Sequence, residues 1–290
     1  MTTPNQFDKQ TVNVFIDKGY RILQLINVGS FGDVYKSLYN ETEVRAVKVI
    51  DLRRVGKRTQ DVEICREIAA LIQFKHPNII KLFDAFRANQ KIFLFMEFAD
   101  NKDVGKYLES NGPIGENVTG KWFKQISNAL NYIHNEMGFV HRDIKVDNIL
   151  LFNNYDLAKL ADFGLARYSL SQQTNQIEIS HTICGTDAYI SPKQLLCQGY
   201  NPVAADCWSM GVTLFTMLNN KLPFGYCPAI KQLNKLRIGG AVYVDKLYDK
   251  LIIDKLSRNV REVIDHLIVY DEDKRWKITD VLKSKWFKNI

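Results

Sequence analysis

The chain has 290 residues, 46% of them hydrophobic and 24% charged, and a formal net charge of +7. That composition fits a globular protein with an ample core, one bilobed domain or two small ones, and excludes a disordered or fibrous chain. The longest apolar run, Ile92 to Met96, is far too short to cross a membrane. The basic residues are spread along the chain, and the one local cluster, Arg53, Arg54, Lys57 and Arg58, reads as a solvated face, with a docking or nuclear-localisation patch as the alternative; neither nucleic acid nor membrane is an expected partner. Met1-Thr2-Thr3-Pro4-Asn5 has no apolar leader core, and Thr2 stands where myristoylation needs glycine. Five cysteines, an odd number without a C-x-x-C pair, point to reduced thiols and a cytoplasmic location that extends to the nucleus.

In chain order, residues 1–19 begin polar and read as an N-terminal extension. Short β-branched and aromatic runs then predict strands at Arg21–Asn27, Asp33–Tyr39, Val44–Ile50, Leu82–Phe86 and Ile92–Met96. A helix is expected from about Val62 to Phe74, with Ile64, Ile68, Leu71 and Ile72 on one face. Between the first two strands lies Asn27-Val28-Gly29-Ser30-Phe31-Gly32-Asp33-Val34. Glycine there lets backbone N–H groups approach phosphate oxygens, although a plain hairpin turn fits the same residues. On the third strand Ala46 and Lys48 share a face, so a small residue and a cation are presented together.

After Asp100-Asn101-Lys102 the periodicity becomes helical, with Lys121–Glu136, Cys207–Leu218 and Val260–Val269 as predicted helices. The pattern is α+β: a small β-rich part joined to a larger helical part, with a ligand expected at the junction.

Residues 141–164 are the most informative stretch. His141-Arg142-Asp143 with Asn148, and Asp162-Phe163-Gly164, bracket an apolar segment able to form a hairpin, which would bring Asp143, Asn148 and Asp162 to one rim. These motifs resemble those of protein kinases. The resemblance covers residues 20–290 and implies a bilobed fold, with an N-lobe at 20–98 and a C-lobe at 99–290. It implies ATP and Mg²⁺ as cofactors, and phosphoryl transfer to protein substrates.

By resemblance, Asp143 orients the substrate hydroxyl, Lys145 reaches the γ-phosphate, and Asn148 and Asp162 hold Mg²⁺. Lys48 holds the α- and β-phosphates and pairs with Glu67. Asn27, Val28, Gly29 and Gly32 form the loop over the phosphates, with Asn27 where kinases carry their first glycine. Val34, Ala46 and Leu150 sandwich adenine, Met96 guards the back of the pocket, and Glu97 and Ala99 supply hinge backbone. Leu71, Leu82, His141 and Phe163 form an apolar spine, and Asp206 braces the catalytic loop.

Lys145 and Thr186 resemble serine/threonine kinases. Three segments, Lys18-Gly19-Tyr20, Asp143 to Asn148 and Thr182 to Tyr189, resemble the testis-specific serine kinases of the calcium/calmodulin-dependent group. That subfamily implies a role in sperm maturation, and the chain's end close to the domain's end implies no calmodulin-binding tail. Thr182, with Arg142 and Arg167 converging on it, is expected to be an activating site phosphorylated by an upstream kinase or by the protein itself. Asp103 and Asp147 are expected to read basic residues upstream of the acceptor.

One triplet departs from the pattern. Ser191-Pro192-Lys193 puts a cation where kinases carry a glutamate that pairs with a buried arginine, here Arg275. A buried charge left unpaired costs about 3–5 kcal/mol. So Arg275 is expected to find another acid among Asp271, Glu272 and Asp273, or Lys193 to swing into solvent. Asn27 and Lys193 together leave one alternative open, a kinase-shaped scaffold with little catalysis.

Overall fold

A computed structural model of the protein describes residues 7–29, 32–53, 68, 71–171, 173–174, 176–224 and 256–290. The chain divides into two compact units, Met1–Lys75 with Ile80–Asp100, and His76–Ile79 with Asn101–Ile290.

The first unit is a five-stranded antiparallel sheet in the order β1-β2-β3-β5-β4, made of β1 Tyr20–Val28, β2 Gly32–Tyr39, β3 Glu43–Asp51, β4 Leu82–Ala88 and β5 Lys91–Glu97. All five expected strands are present, each extended by one or two residues in all. Two-residue alternation gives the sheet two apolar faces. Tyr20, Ile22, Tyr35, Val47, Val49, Phe93 and Phe95 form one cluster, and Ile50, Leu52, Ile92 and Leu94 form the other.

The segment expected as an extension contributes to the first cluster. Residues Lys9–Asp17 form a helix, α1, whose N-cap Asp8 accepts from Thr11 N at 2.9 Å. Phe15 of this helix is only 3% exposed and belongs to the cluster, with Phe7 packed beside it. A face of the sheet lined with aromatic rings needs a cover, and the helix supplies it. Of the expected helix Val62–Phe74, only Ile68 and Leu71 to Gln73 are described as helical; Glu67 lies outside the described residues.

The second unit is mainly helical. It contains α2 Val104–Asn111, α3 Glu116–Asn131 running into a π turn at Tyr132–Glu136, and α4 Pro192–Leu195. Beyond these come α5 Pro202–Asn219, α6 Arg258–Leu267 and α7 Ile278–Leu282. Helix α5 is buried along nearly its whole length, which its apolar sequence permits on every side. Asn201 caps it by accepting from Val203 N and Ala204 N, and Pro202 fits the first turn, where an N–H would have no partner. Two antiparallel pairs complete the unit: β6 Phe139–Val140 with β9 Arg167–Tyr168, and the hairpin of β7 Ile149–Phe152 with β8 Leu157–Leu160. Among the described residues no helix is long and apolar enough to cross a membrane.

Candidate active site

The turn at His141–Asp143 is held from below by Asp206 of α5. This carboxylate is buried and accepts from His141 N and Arg142 N, both at 2.8 Å, and lies 2.8 Å from His134 Nε2. Burial opposes its ionisation, but the His134 contact and the backbone donors outweigh that and hold the carboxyl below the usual range. Arg142 has φ +69°, a conformation that costs a non-glycine residue about 1–2 kcal/mol. The two Asp206 bonds and a bond from Arg142 Nε to Leu165 O at 2.6 Å sustain it.

Above this turn the predicted catalytic groups meet. Thr186 Oγ1 donates to Asp143 Oδ1 at 2.8 Å and accepts from Lys145 Nζ at 2.7 Å. Lys145 Nζ is also 3.1 Å from Asp143 Oδ2, and Asn148 Nδ2 donates to that same oxygen at 3.0 Å and to Asp143 O at 2.7 Å. Asp143 is therefore a fixed carboxylate whose orientation three side chains enforce. Gly185 brings Thr186 into reach. Its φ is +98°, and a Cβ there would lie 2.6 Å from Arg142 O, so only glycine fits.

The β7–β8 hairpin returns the chain to the same rim, as the motif spacing implies. Ala161 N donates to Asn148 O at 2.9 Å, which sets the exposed Asp162 beside Asn148. Asp162 also has positive φ, +59°, and strain of this kind persists where surrounding bonds over-determine it. Phe163 is fully buried, its ring 4.8 Å from that of His141. Among the described residues no three His, Cys, Asp or Glu side chains cluster as a metal cage. Nδ2 of Asn148 is spent on Asp143, so the oxygens of Asn148 and Asp162 are the hard donors at this rim. That set fits Mg²⁺, which completes its octahedron with phosphate and water oxygens.

In the first unit, Asn27 pairs with Val34, and Val34 with Lys48, across the β1–β2–β3 ladder. Gly29 N donates to Gly32 O at 3.0 Å and closes the hairpin, with Val28 exposed. Gly32 has a packing reason of its own, since a Cβ there would run into Val49 O. Ala46 and Lys48 share the face that carries Ile50, opposite α1, and Met96 pairs with Ala46. Glu97 N is used within the sheet, donating to Lys81 O at 3.2 Å, and Ala99 is half-buried just beyond. Leu150 belongs to the second unit, on β7.

Arg142 lies close to the segment after residue 176. Burial pushes the Cys184 thiol and the Tyr200 phenol up, and the Arg142 cation pulls against both. Tyr200 Oη donates to Thr182 O at 2.7 Å, and Ser180 and Tyr200 exchange two backbone bonds, so exposed Thr182 sits on an anchored segment. Arg167 is exposed on β9, opposite Val140. Asp103 and Asp147 come together around Gly105, where a Cβ would lie 3.0 Å from one carboxylate and 3.1 Å from the other. Burial, with Asp147 adding repulsion, raises the Asp103 carboxyl, although Asp103 also caps α2 by accepting from Lys106 N.

Both expected outcomes at Lys193 and Arg275 are corrected. Lys193 is not in solvent: its Nζ is 2.9 Å from Glu272 Oε1, which holds the ammonium above its usual range. Arg275 finds no acid among the described residues. Its guanidinium donates to Val269 O at 2.7 and 3.2 Å and to Ala204 O at 2.8 Å, and it lies 5.1 Å from the ring centre of Trp208. Burial lowers it to about 10, so it stays charged at neutral pH. The sequence reading also misses His134, Tyr200 and Asn201. Only Asn201-Pro202 carries a local signal, that of a helix start.

A family described as the protein kinase domain matches residues 20–287. Among curated relatives, CBL-interacting protein kinase 9 of Oryza sativa subsp. japonica is 31% identical over 270 residues, 93% of this chain and 56% of that protein. CBL-interacting serine/threonine-protein kinase 14 of Arabidopsis thaliana is 32% identical over 270 residues, 93% of this chain and 58% of that protein. CBL-interacting serine/threonine-protein kinase 3 of Arabidopsis thaliana is 35% identical over 206 residues, 71% of this chain and 46% of that protein. The chain thus spans about half the length of these relatives.

Proposed function

Since the chain belongs to the protein kinase domain family, we propose that it is a serine/threonine protein kinase that transfers the γ-phosphate of ATP to protein hydroxyls. The observation that carries this is the fixed Asp143, tied to Thr186, Lys145 and Asn148. Phosphoryl transfer asks for positioning and charge neutralisation rather than covalent chemistry. Asp143 orients the acceptor hydroxyl and takes up its proton, and Lys145 stands beside it as a point charge for the phosphoryl oxygens. Asn148 and Asp162 would hold Mg²⁺, which when bound offsets the negative charge of the phosphates. Lys48 would steady the α- and β-phosphates from its strand. Radiolabel transfer to a basic peptide, measured for wild type beside Asp143→Ala, tests the reading. Transfer by wild type and none by the variant is expected; equal rates would overturn it, and no transfer by wild type would favour the kinase-shaped scaffold.

Thr182 is proposed as the activating phosphorylation site. It is exposed on an anchored segment, and Arg142 acts on its neighbours Cys184 and Tyr200. A phosphate there adds a charge of about −1.5 to −2 that Arg142 and Arg167 would pair. Thr182→Ala should cut activity sharply and Ser180→Ala should not. Full activity in protein shown by mass spectrometry to be unmodified at Thr182 would defeat this. Asp103 and Asp147 are proposed to select substrates with Arg or Lys upstream of the acceptor, so Asp147→Ala should weaken that preference on a peptide array.

Three short segments carry the finer likeness to testis-specific kinases, and the plant relatives lend no support to a role in sperm maturation. Those relatives are named for interaction with CBL proteins, and such a partner is an open proposal for this chain. A cytoplasmic and nuclear location is proposed from the free thiols of Cys184, Cys197 and Cys207.

A further inference from the structure

Glu272 is a junction. Its carboxylate, with a side chain 7% exposed, accepts from Lys193 Nζ at 2.9 Å and from Asn201 N at 3.3 Å. Lys193 sits on α4, and Asn201 is the N-cap of α5. One buried acid therefore ties together the two elements that converge on Asp143. Helix α5 bears on it through Asp206, which holds the backbone of His141 and Arg142. The segment before α4 bears on it through Thr186, and is pinned elsewhere by Gln194 Nε2 to Cys184 O at 2.8 Å and by Ser209 Oγ to Tyr189 O at 2.9 Å.

The Gln194 bond joins the far end of the segment from Cys184 to Leu195 back to its own start, whereas the Thr186 and Ser209 bonds fix its start and middle to other elements. At its far end Lys193 is the only charged side chain, and its ammonium is 32% exposed while its partner is nearly covered. Removing that cation leaves Glu272 with a long backbone bond and only the charge of Arg275, which is not in ion-pair contact, so the acid must draw in water and loosen its hold on α4. The neighbouring Arg275 cannot substitute, because its donors are committed to Val269 O and Ala204 O.

We propose that Lys193 and Glu272 are a positioning pair, and that the segment 184–195 they hold, which carries Thr186 to Asp143, is a docking surface for the protein substrate. The inference rests on the kinase reading and names which of its steps the pair serves. Neither residue bonds Asp143, Lys145, Asn148 or Thr186, so the effect falls on substrate binding and not on the nucleotide.

The test uses the full chain with a basic peptide and ATP, for Lys193→Met, Lys193→Arg, Glu272→Gln and the double variant Lys193→Met with Glu272→Gln. Lys193→Met should raise the peptide KM by about fivefold or more, leave the ATP KM unchanged, and change kcat by less than about twofold. Lys193→Arg keeps the charge and should restore most of the loss, whereas a merely structural defect would not respond to charge. The double variant should be no worse than the poorer single one, because one interaction has been removed twice. Since Glu272→Gln disturbs a buried junction, tryptophan-monitored unfolding accompanies each variant, and Lys193→Met decides the matter if Glu272→Gln fails to fold. An unchanged peptide KM in folded Lys193→Met, an equal rise in both KM values, or additive losses would overturn the pairing while leaving the kinase reading standing. Absence of transfer by wild type would overturn the reading, and the inference with it.

Discussion

Replacing Phe15 by alanine should loosen the sheet of the first unit without touching the second. Phe15 is 3% exposed, and its ring lies 5.0 Å from Phe93, 5.5 Å from Phe7, 5.8 Å from Phe86 and 6.3 Å from Phe95. Truncating a buried phenylalanine costs about 3–5 kcal/mol, against a total of about 5–15 kcal/mol for a domain. At about 1.4 kcal/mol per tenfold, amides that exchange by opening this face should exchange roughly 10² to 4 × 10³ times faster. Hydrogen exchange read by mass spectrometry on peptides covering Val47 and Val49 of β3 and Phe93 and Phe95 of β5, which pair across the ladder, measures this. All four tryptophans, Trp122, Trp208, Trp276 and Trp286, lie in the second unit, so their fluorescence should report a transition close to wild type. Ile16→Ala is the control: Ile16 is 66% exposed on the same helix and should shift stability by no more than about 0.5 kcal/mol. Unchanged exchange in Phe15→Ala would refute the view that α1 is part of this core.

Asp162→Asn should abolish metal-dependent transfer while tryptophan-monitored unfolding stays unchanged, because an exposed carboxylate is altered and no packing is lost. Thr186→Val removes the donor to Asp143 and the acceptor for Lys145, so kcat should fall by about 10–100-fold; a full rate would show that Asp143 needs no orientation. Arg53 donates to Asp51 from Nε, Nη2 and its backbone and holds that carboxyl at about 2. A lowered folded pKa stabilises fully above the unfolded value of about 4 and is lost as pH falls through about 2. Asp51→Asn should therefore flatten the acid limb of the stability curve in that window, and an unaltered limb would count against the pair.

What the sequence disclosed follows the range of the interactions involved. The strands of β1 to β5 were legible because two-residue alternation is local, and the rim of Asp143, Asn148 and Asp162 because a short hairpin separates its motifs. Helix α1 was missed because its polar opening, Asp8 to Gln10, masks the single deeply buried ring at Phe15. The capping acceptor Asp8 is present in the sequence but reads equally as a turn. His134 and Asp206 stand 72 residues apart and become partners only through burial, with no periodic signal to announce them. Gly32 was read for phosphate, and the close approach of Val49 O gives it a second reason that no local pattern reveals.

Arg275 shows how charge arithmetic on a sequence goes astray. Counting signs, a lysine at position 193 leaves a buried arginine without its acid, and the expected cost is several kcal/mol. The guanidinium, however, carries five donors in a planar fork, and carbonyl oxygens satisfy donors as well as carboxylates do. Val269 and Ala204 fill that role, with the face of Trp208 5.1 Å away, and the remaining cost of burial appears as a guanidinium held at about 10 instead of its ordinary value. Glu272 is then available to Lys193, and the acid and the cation that would have faced each other across one contact are served by separate partners. The inversion at position 193 is thus compatible with a folded second unit. Its consequence is a transfer of the electrostatic tie from Arg275 to Glu272, which places a partly exposed lysine in control of the end of the docking segment.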